Sequence, residues 1–188
     1  MDTFKKIQAI FYSGSHSFRG SLEPVNDIAF LLDEGYLALT TASIGSKQDY
    51  DALLDSVLAH EHAHNLAAGG GKNHVALKLL AASYLSTRGY GAIQYEHPLC
   101  GHYPDVMTRD ASIVVECGHT QNPEKMLTYF QQGNIKECIQ IPYPVFEDTE
   151  VLGYSFTAQD ELKEFLDFLE ADRRSQLKKI TRASNPPG

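Results

Sequence analysis

Tyr95 to Lys125 reads YEHPLCGHYPDVMTRDASIVVECGHTQNPEK. Three short β-type runs lie in or beside it: Ala92–Glu96 (AIQYE), Val106–Thr108 after Pro104-Asp105, and Ile113–Glu116 (IVVE). Pro123-Glu124 then opens a helix to about Gln132, with proline at an early position where its missing N–H costs little. Glu137–Pro142 (ECIQIP) reads as a further strand. Upstream, Asn73 is an N-cap candidate for a helix from His74 to about Arg88, which Gly89 closes. The order from His74 to Pro142 is therefore helix, strand, strand, strand, helix, strand. The closing strand–helix–strand requires a parallel crossover, so the sheet is expected to be mixed.

Working outward, Asn26 to Ser43 (NDIAFLLDEGYLALTTAS) reads as a β-hairpin, two apolar runs flanking an Asp33-Glu34-Gly35 turn. Tyr50 to about Ala67 steps at helical spacing through Leu53, Leu54, Val57 and Leu58, and Gly69-Gly70-Gly71 ends it. A last helix is predicted from about Ala158 to Leu177, with Leu162, Phe165, Leu166 and Leu169 on one face. The expected architecture is α/β: a mixed four-stranded central sheet flanked by helices. Residues 72–145 form its αβββαβ core, 1–71 a hairpin-plus-helix extension and 146–182 a helical segment. At 188 residues this is a single domain by length.

Composition narrows the class. No apolar run approaches the length of a membrane span, and MDTFKKIQAIF lacks a signal-peptide pattern. Cys100, Cys117 and Cys138 are odd in number and show no CxxC spacing, which points to reduced thiols in a cytoplasmic protein. The net charge of −8 argues against a general nucleic-acid coat. It is unevenly spread, however, and residues 72–145 carry six basic and six acidic side chains. Arg173, Arg174, Lys178, Lys179 and Arg182 form a basic stretch that suits either phosphate contact or a solvated helix end complementing the dipole.

The chemistry lies in the carboxylates. Asp105 starts one strand and Glu116 ends the next, so antiparallel pairing brings them side by side, with the Cys117 carbonyl as a third oxygen donor. Mg²⁺ or Mn²⁺ prefers such a set, and an ion there would lower the pKa of an attacking water and offset charge on a leaving oxygen. Glu96, at the end of the first strand, is a further candidate ligand or an edge-strand carboxylate.

Residues 73–142 resemble the PD-(D/E)xK nuclease superfamily, whose core is αβββαβ and whose signature is Pro-Asp followed by Asp/Glu-x-Lys. Pro104-Asp105 matches the first half and Glu116-Cys117-Gly118 the second, except that glycine stands where the family has lysine. The resemblance implies a metal-dependent phosphodiesterase acting on DNA (RNA less so), with Asp105, Glu116 and Cys117 at the metal. His74, on the helix before the first strand, resembles a metal ligand of some branches. Lys78, one turn on, is a candidate for substrate contact. In this family the motif lysine is known to migrate, and Lys125 on the following helix is the candidate replacement. His119 and Gln121 are alternatives: a glutamine can orient water, and a histidine can also transfer a proton near neutral pH.

Three competing readings stand beside this one. His60-Glu61-His62-Ala63-His64 satisfies H-E-x-x-H on a predicted helix, the spacing by which two imidazoles grip Zn²⁺ with Glu61 as base. No carboxylate follows between residues 62 and 95 to supply a third ligand, and Ala67 and Gly70 break the longer zinc-peptidase pattern. A cramped His97, Cys100, His102 cluster offers zinc three ligands and no fourth, so His102 reads better as a cleft residue touching substrate. The same fold without cleavage would be a nucleic-acid or protein-binding module. Residues 1–71 suit a dimerisation or substrate-selecting element, which leaves a homodimer open.

Overall fold

The computed structural model describes residues 2–12, 22–59, 71–119, 122–133 and 135–184. The elements run α1 (Thr3–Tyr12), α2 (Glu23–Asp33), β1 (Leu37–Ser46), α3 (Lys47–Ala59), α4 (Gly71–Thr87), β2 (Ile93–Tyr95), β3 (Val106–Thr108), β4 (Ile113–Cys117), α5 (Pro123–Gln132), β5 (Glu137–Ile141), β6 (Glu150–Ala158) and α6 (Leu162–Ser184). One mixed sheet of six strands has the order β1-β6-β5-β4-β3-β2. The β2–β3, β3–β4, β5–β6 and β6–β1 pairs are antiparallel, and β4–β5 is parallel across the α5 crossover.

Four of these strands, β2 to β5, with α4 and α5, reproduce the expected order. The sheet is larger than the four strands anticipated, because β1 and β6 extend it beyond β5. The predicted hairpin over 26–43 is corrected in its first arm. Glu23–Asp33 is α2, with Pro24 in the first turn and Val25, Ile28, Ala29 and Leu31 buried. Proline there forfeits no hydrogen bond, and the buried residues recur at three- and four-residue steps, a helical period. Only the second arm is a strand. Its partner is β6, from Leu37 against Ala158 to Ser46 against Glu150, with an irregularity between Ser43 and Gly45.

Each face of the sheet is covered. On one, α1, α2, α5 and α6 bury Ile7, Phe11, Val25, Ile28, Leu31, Met126, Tyr129, Phe130 and Leu166 against Met107, Val114, Cys138 and Phe156. On the other, α3 and α4 pack Tyr50, Ala76, Leu77, Leu80, Ala81 and Leu85 against Val106, Ile113, Val115, Ile139 and Ile141. β4 is buried along its whole length and supplies both clusters alternately, as a strand covered on both faces must. The N-terminal helices thus share a core with α5 and α6. Arg173 of α6 reaches Asp27 of α2 at 2.8 Å, which uses one member of the basic stretch within the fold. Among the described residues no helix is long and apolar enough to cross a membrane.

Candidate functional site

The pairs Tyr95–Val106, Val106–Val115 and Cys117–Ile141 bring the ends of β2, β4 and β5 and the start of β3 to one end of the sheet. One residue further along the Val106–Val115 register, Asp105 and Glu116 sit on neighbouring strands. Helices on opposite faces hold their side chains.

Asp105 is served from α4. Its Oδ1 lies 2.9 Å from His74 Nε2 and 3.3 Å from Lys78 Nζ, and its Oδ2 accepts from the Cys117 amide at 2.7 Å. Burial alone would raise its pKa, but His74, the Cys117 N–H and Lys78 outweigh burial and hold it below the ordinary carboxylate value. Lys78, only 2% exposed, also donates to Glu96, so its ammonium bridges two carboxylates inside the protein. Buried charge needs such pairing. Glu96 has a positive φ of 47° and donates its amide to the Asp105 carbonyl at 3.3 Å, which ties the end of β2 to the start of β3.

Glu116 is served from α5. Lys125 Nζ lies 2.7 Å from its carboxylate, and the Tyr129 hydroxyl donates to Oε1 at 3.0 Å. Lys125 also donates to the Tyr103 carbonyl at 3.2 Å and lies over the Tyr129 ring. The helix is set for this by its cap: the Asn122 side chain accepts from the Lys125 amide at 2.9 Å, and Pro123 occupies the first turn. Lys125 and Tyr129 are then one turn apart on the buried face. Glu116 is 3% exposed. Burial pushes its pKa up to about 7, Lys125 pulls it down, and Asp105 adds a smaller rise. Burial beside Glu116 also raises the Tyr129 pKa.

Folded Glu116 therefore holds its proton more tightly than the unfolded carboxyl does. Its contribution to stability is fully present below the ordinary value of 4.5 and is lost as pH rises through about 7. In EDTA, urea denaturation should show stability falling by on the order of 3 kcal/mol from pH 4.5 to 7.5, and Glu116→Gln should flatten that fall. A parent curve already flat across this window would contradict the burial argument. Asp105 has the opposite sign: its contribution is present above the ordinary value of 3.8 and is lost as pH falls through its lowered pKa.

The remaining expected residues fall as follows. His102 pairs with Leu99 in an isolated bridge and sets its ring edge-on to Tyr129, with centroids 5.9 Å apart. His119 is exposed and packs edge-on against Tyr143. Cys117 contributes its amide, and its buried thiol is free, as are Cys100 and Cys138. Gln121 and the His60, Glu61, His64 motif lie outside the described residues. Two site residues were not read from the sequence. Tyr129 carried a signal, four residues beyond Lys125 on one helix face. Tyr143 carried none, because only the fold brings it back to Gly118.

Among the described residues, no group of three or more His, Cys, Asp or Glu side chains is gathered to enclose a metal ion. The donor set at the strand ends is of the sparser kind: two carboxylates, which a hard cation supplements with water and substrate oxygens. That fits Mg²⁺ or Mn²⁺ and not a closed zinc site. Among the described residues, Asp105 and Glu96 share the Lys78 ammonium and Glu116 faces Lys125. Comparison with family models, with curated proteins and with solved structures finds no match to this chain.

Proposed function

We propose that the protein is a divalent-cation-dependent phosphodiesterase of the PD-(D/E)xK type that hydrolyses DNA. What carries this reading is the approach of Lys125, on α5, to within 2.7 Å of Glu116. An amine thus lies beside the motif carboxylate although Gly118 has no side chain to provide one. Asp105 and Glu116 are the residues that would hold Mg²⁺ or Mn²⁺, which when bound supplies a water of lowered pKa and offsets charge on the leaving oxygen. Asp105 is ionised at neutral pH and kept in place by His74 and the Cys117 amide. Glu116 is kept in a dry setting where Lys125 favours its charged form. The Lys125 ammonium lies at the rim of this arrangement, 16% exposed, where it is able to meet a phosphate oxygen. The αβββαβ order of α4 to β5 supports the reading as well.

Purified protein should cut linear and circular DNA with Mn²⁺ or Mg²⁺, and EDTA should stop it. Complete absence of cutting with either ion, on single- and double-stranded DNA alike, would sink the proposal.

One observation favours a second reading, a non-cleaving binding module on the same fold. Both carboxylates already have partners within the chain: His74, Lys78 and the Cys117 amide for Asp105, Lys125 and Tyr129 for Glu116. Calorimetry with Mn²⁺ separates the two, since heat that Asp105→Asn removes belongs to the enzyme alone.

A further inference from the structure

Position 118 is where the resemblance puts a lysine and this chain puts no side chain. The backbone there has a φ of +84°, and a Cβ would lie 2.7 Å from Tyr143 Cε2 and Cζ and 2.8 Å from its hydroxyl. The Tyr143 ring therefore takes the room that a side chain at 118 would fill. It comes from the segment just after β5, is half-buried, and meets His119 edge-on with centroids 5.2 Å apart.

The hydroxyl end of Tyr143 lies 3.4 Å from His74 Nδ1, while Nε2 of the same ring is 2.9 Å from Asp105 Oδ1. A carboxylate only accepts, so Nε2 carries the proton that bridges to Asp105. In a neutral imidazole Nδ1 is then the acceptor, and the Tyr143 O–H is the donor facing it. Tyr143, His74 and Asp105 thus form a directed chain, and the Cys117 amide fixes the far oxygen of Asp105.

We infer that Tyr143 is a positioning residue for Asp105: from the room Gly118 leaves open, its phenol donates to His74 Nδ1 and holds in place the imidazole whose Nε2–H bonds Oδ1. Its kinetic consequence rests on the phosphodiesterase reading above. The hydrogen bond to Nδ1 does not.

Nitrogen-15 spectra of the His-labelled, metal-free protein should show His74 as the Nε2–H tautomer. Tyr143→Phe, which keeps the ring and removes the donor, should keep that tautomer and move the Nδ1 resonance towards that of an imidazole nitrogen accepting no hydrogen bond. Gly118→Ala, which pushes the ring aside, should do the same by an independent route. In cleavage assays with Mn²⁺, both variants should lose about tenfold in kcat, with KM within about twofold of the parent. An Nδ1–H tautomer in the parent, or an unchanged Nδ1 resonance in Tyr143→Phe, overturns the inference whether or not the protein cuts DNA. A parent that cuts and a Tyr143→Phe that cuts equally well also overturns it, and a lower melting temperature with unchanged kcat would assign Tyr143 to packing alone. A parent that does not cut overturns the phosphodiesterase reading, and the Nδ1 resonance then decides the matter by itself.

Discussion

Asp105→Asn should lower cation-dependent DNA cleavage by at least about a thousandfold while the protein still folds. Asparagine is the informative replacement because it keeps the shape and an acceptor for the Cys117 amide. What it removes is the charge that would meet a cation and that now partners Lys78 and His74. Alanine would add a packing effect to the chemistry and leave the Cys117 N–H unpartnered, at a cost of about 1–3 kcal/mol. Lys78 keeps Glu96 in the asparagine variant, so the buried ammonium is not stranded. Circular dichroism and a thermal melt close to the parent, together with lost cleavage, assign the effect to the site. Cleavage at the parental rate removes Asp105 from the mechanism, and the proposed function with it.

The second large effect is expected at Lys125. Lys125→Met should slow cleavage at pH 7 by about a hundredfold, and raising the pH to 9 should recover part of the loss. Burial already pushes Glu116 up to about 7, and the Lys125 charge is the strongest influence opposing that rise. Without it the Glu116 pKa climbs further, so the residue is protonated at neutral pH and ionises only in alkali. If Lys125 acted on the reacting phosphate alone, the loss would be the same at both pH values. An unaffected rate would transfer the role to His119 or Gln121.

What the sequence disclosed follows from what is local. α5 spans Pro123–Gln132, the range read from the chain, because Asn122-Pro123 and Gly133 punctuate it within a few residues. The β3 and β4 runs were equally legible, being short apolar stretches between turn residues. The stretch from Asn26 to the Asp33 turn reads as a strand because Ile28, Phe30 and Leu31 suggest β-structure when taken as a run, whereas it lies within α2. The helical period appears only when Val25 and Pro24 are counted in. β6 has no counterpart in the sequence reading: Glu150–Ala158 is a strand by virtue of lying between β1 and β5, and β1, its longer ladder, is distant in sequence. At the site, the proximity of Asp105 and Glu116 followed from strand order. The Tyr143–His74 contact did not, since it joins the segment after β5 to the first turn of α4, 69 residues apart in sequence.

The β1–β6 ladder also has a kinetic consequence. Leu37 pairs with Ala158 and Ser46 with Glu150, so the ladder closes a loop on the order of a hundred residues long, whereas α4 to β5 pair with near neighbours in sequence. Closure entropy favours the short-range block, which is expected to assemble first, and the outer ladder to zip onto its β5 edge afterwards. Native-state amide exchange should then rank the β4 and β5 amides as the slowest to open and those of β1 as the faster. The end of the sheet that carries Asp105 and Glu116 would thus reside in the part of the molecule that opens last.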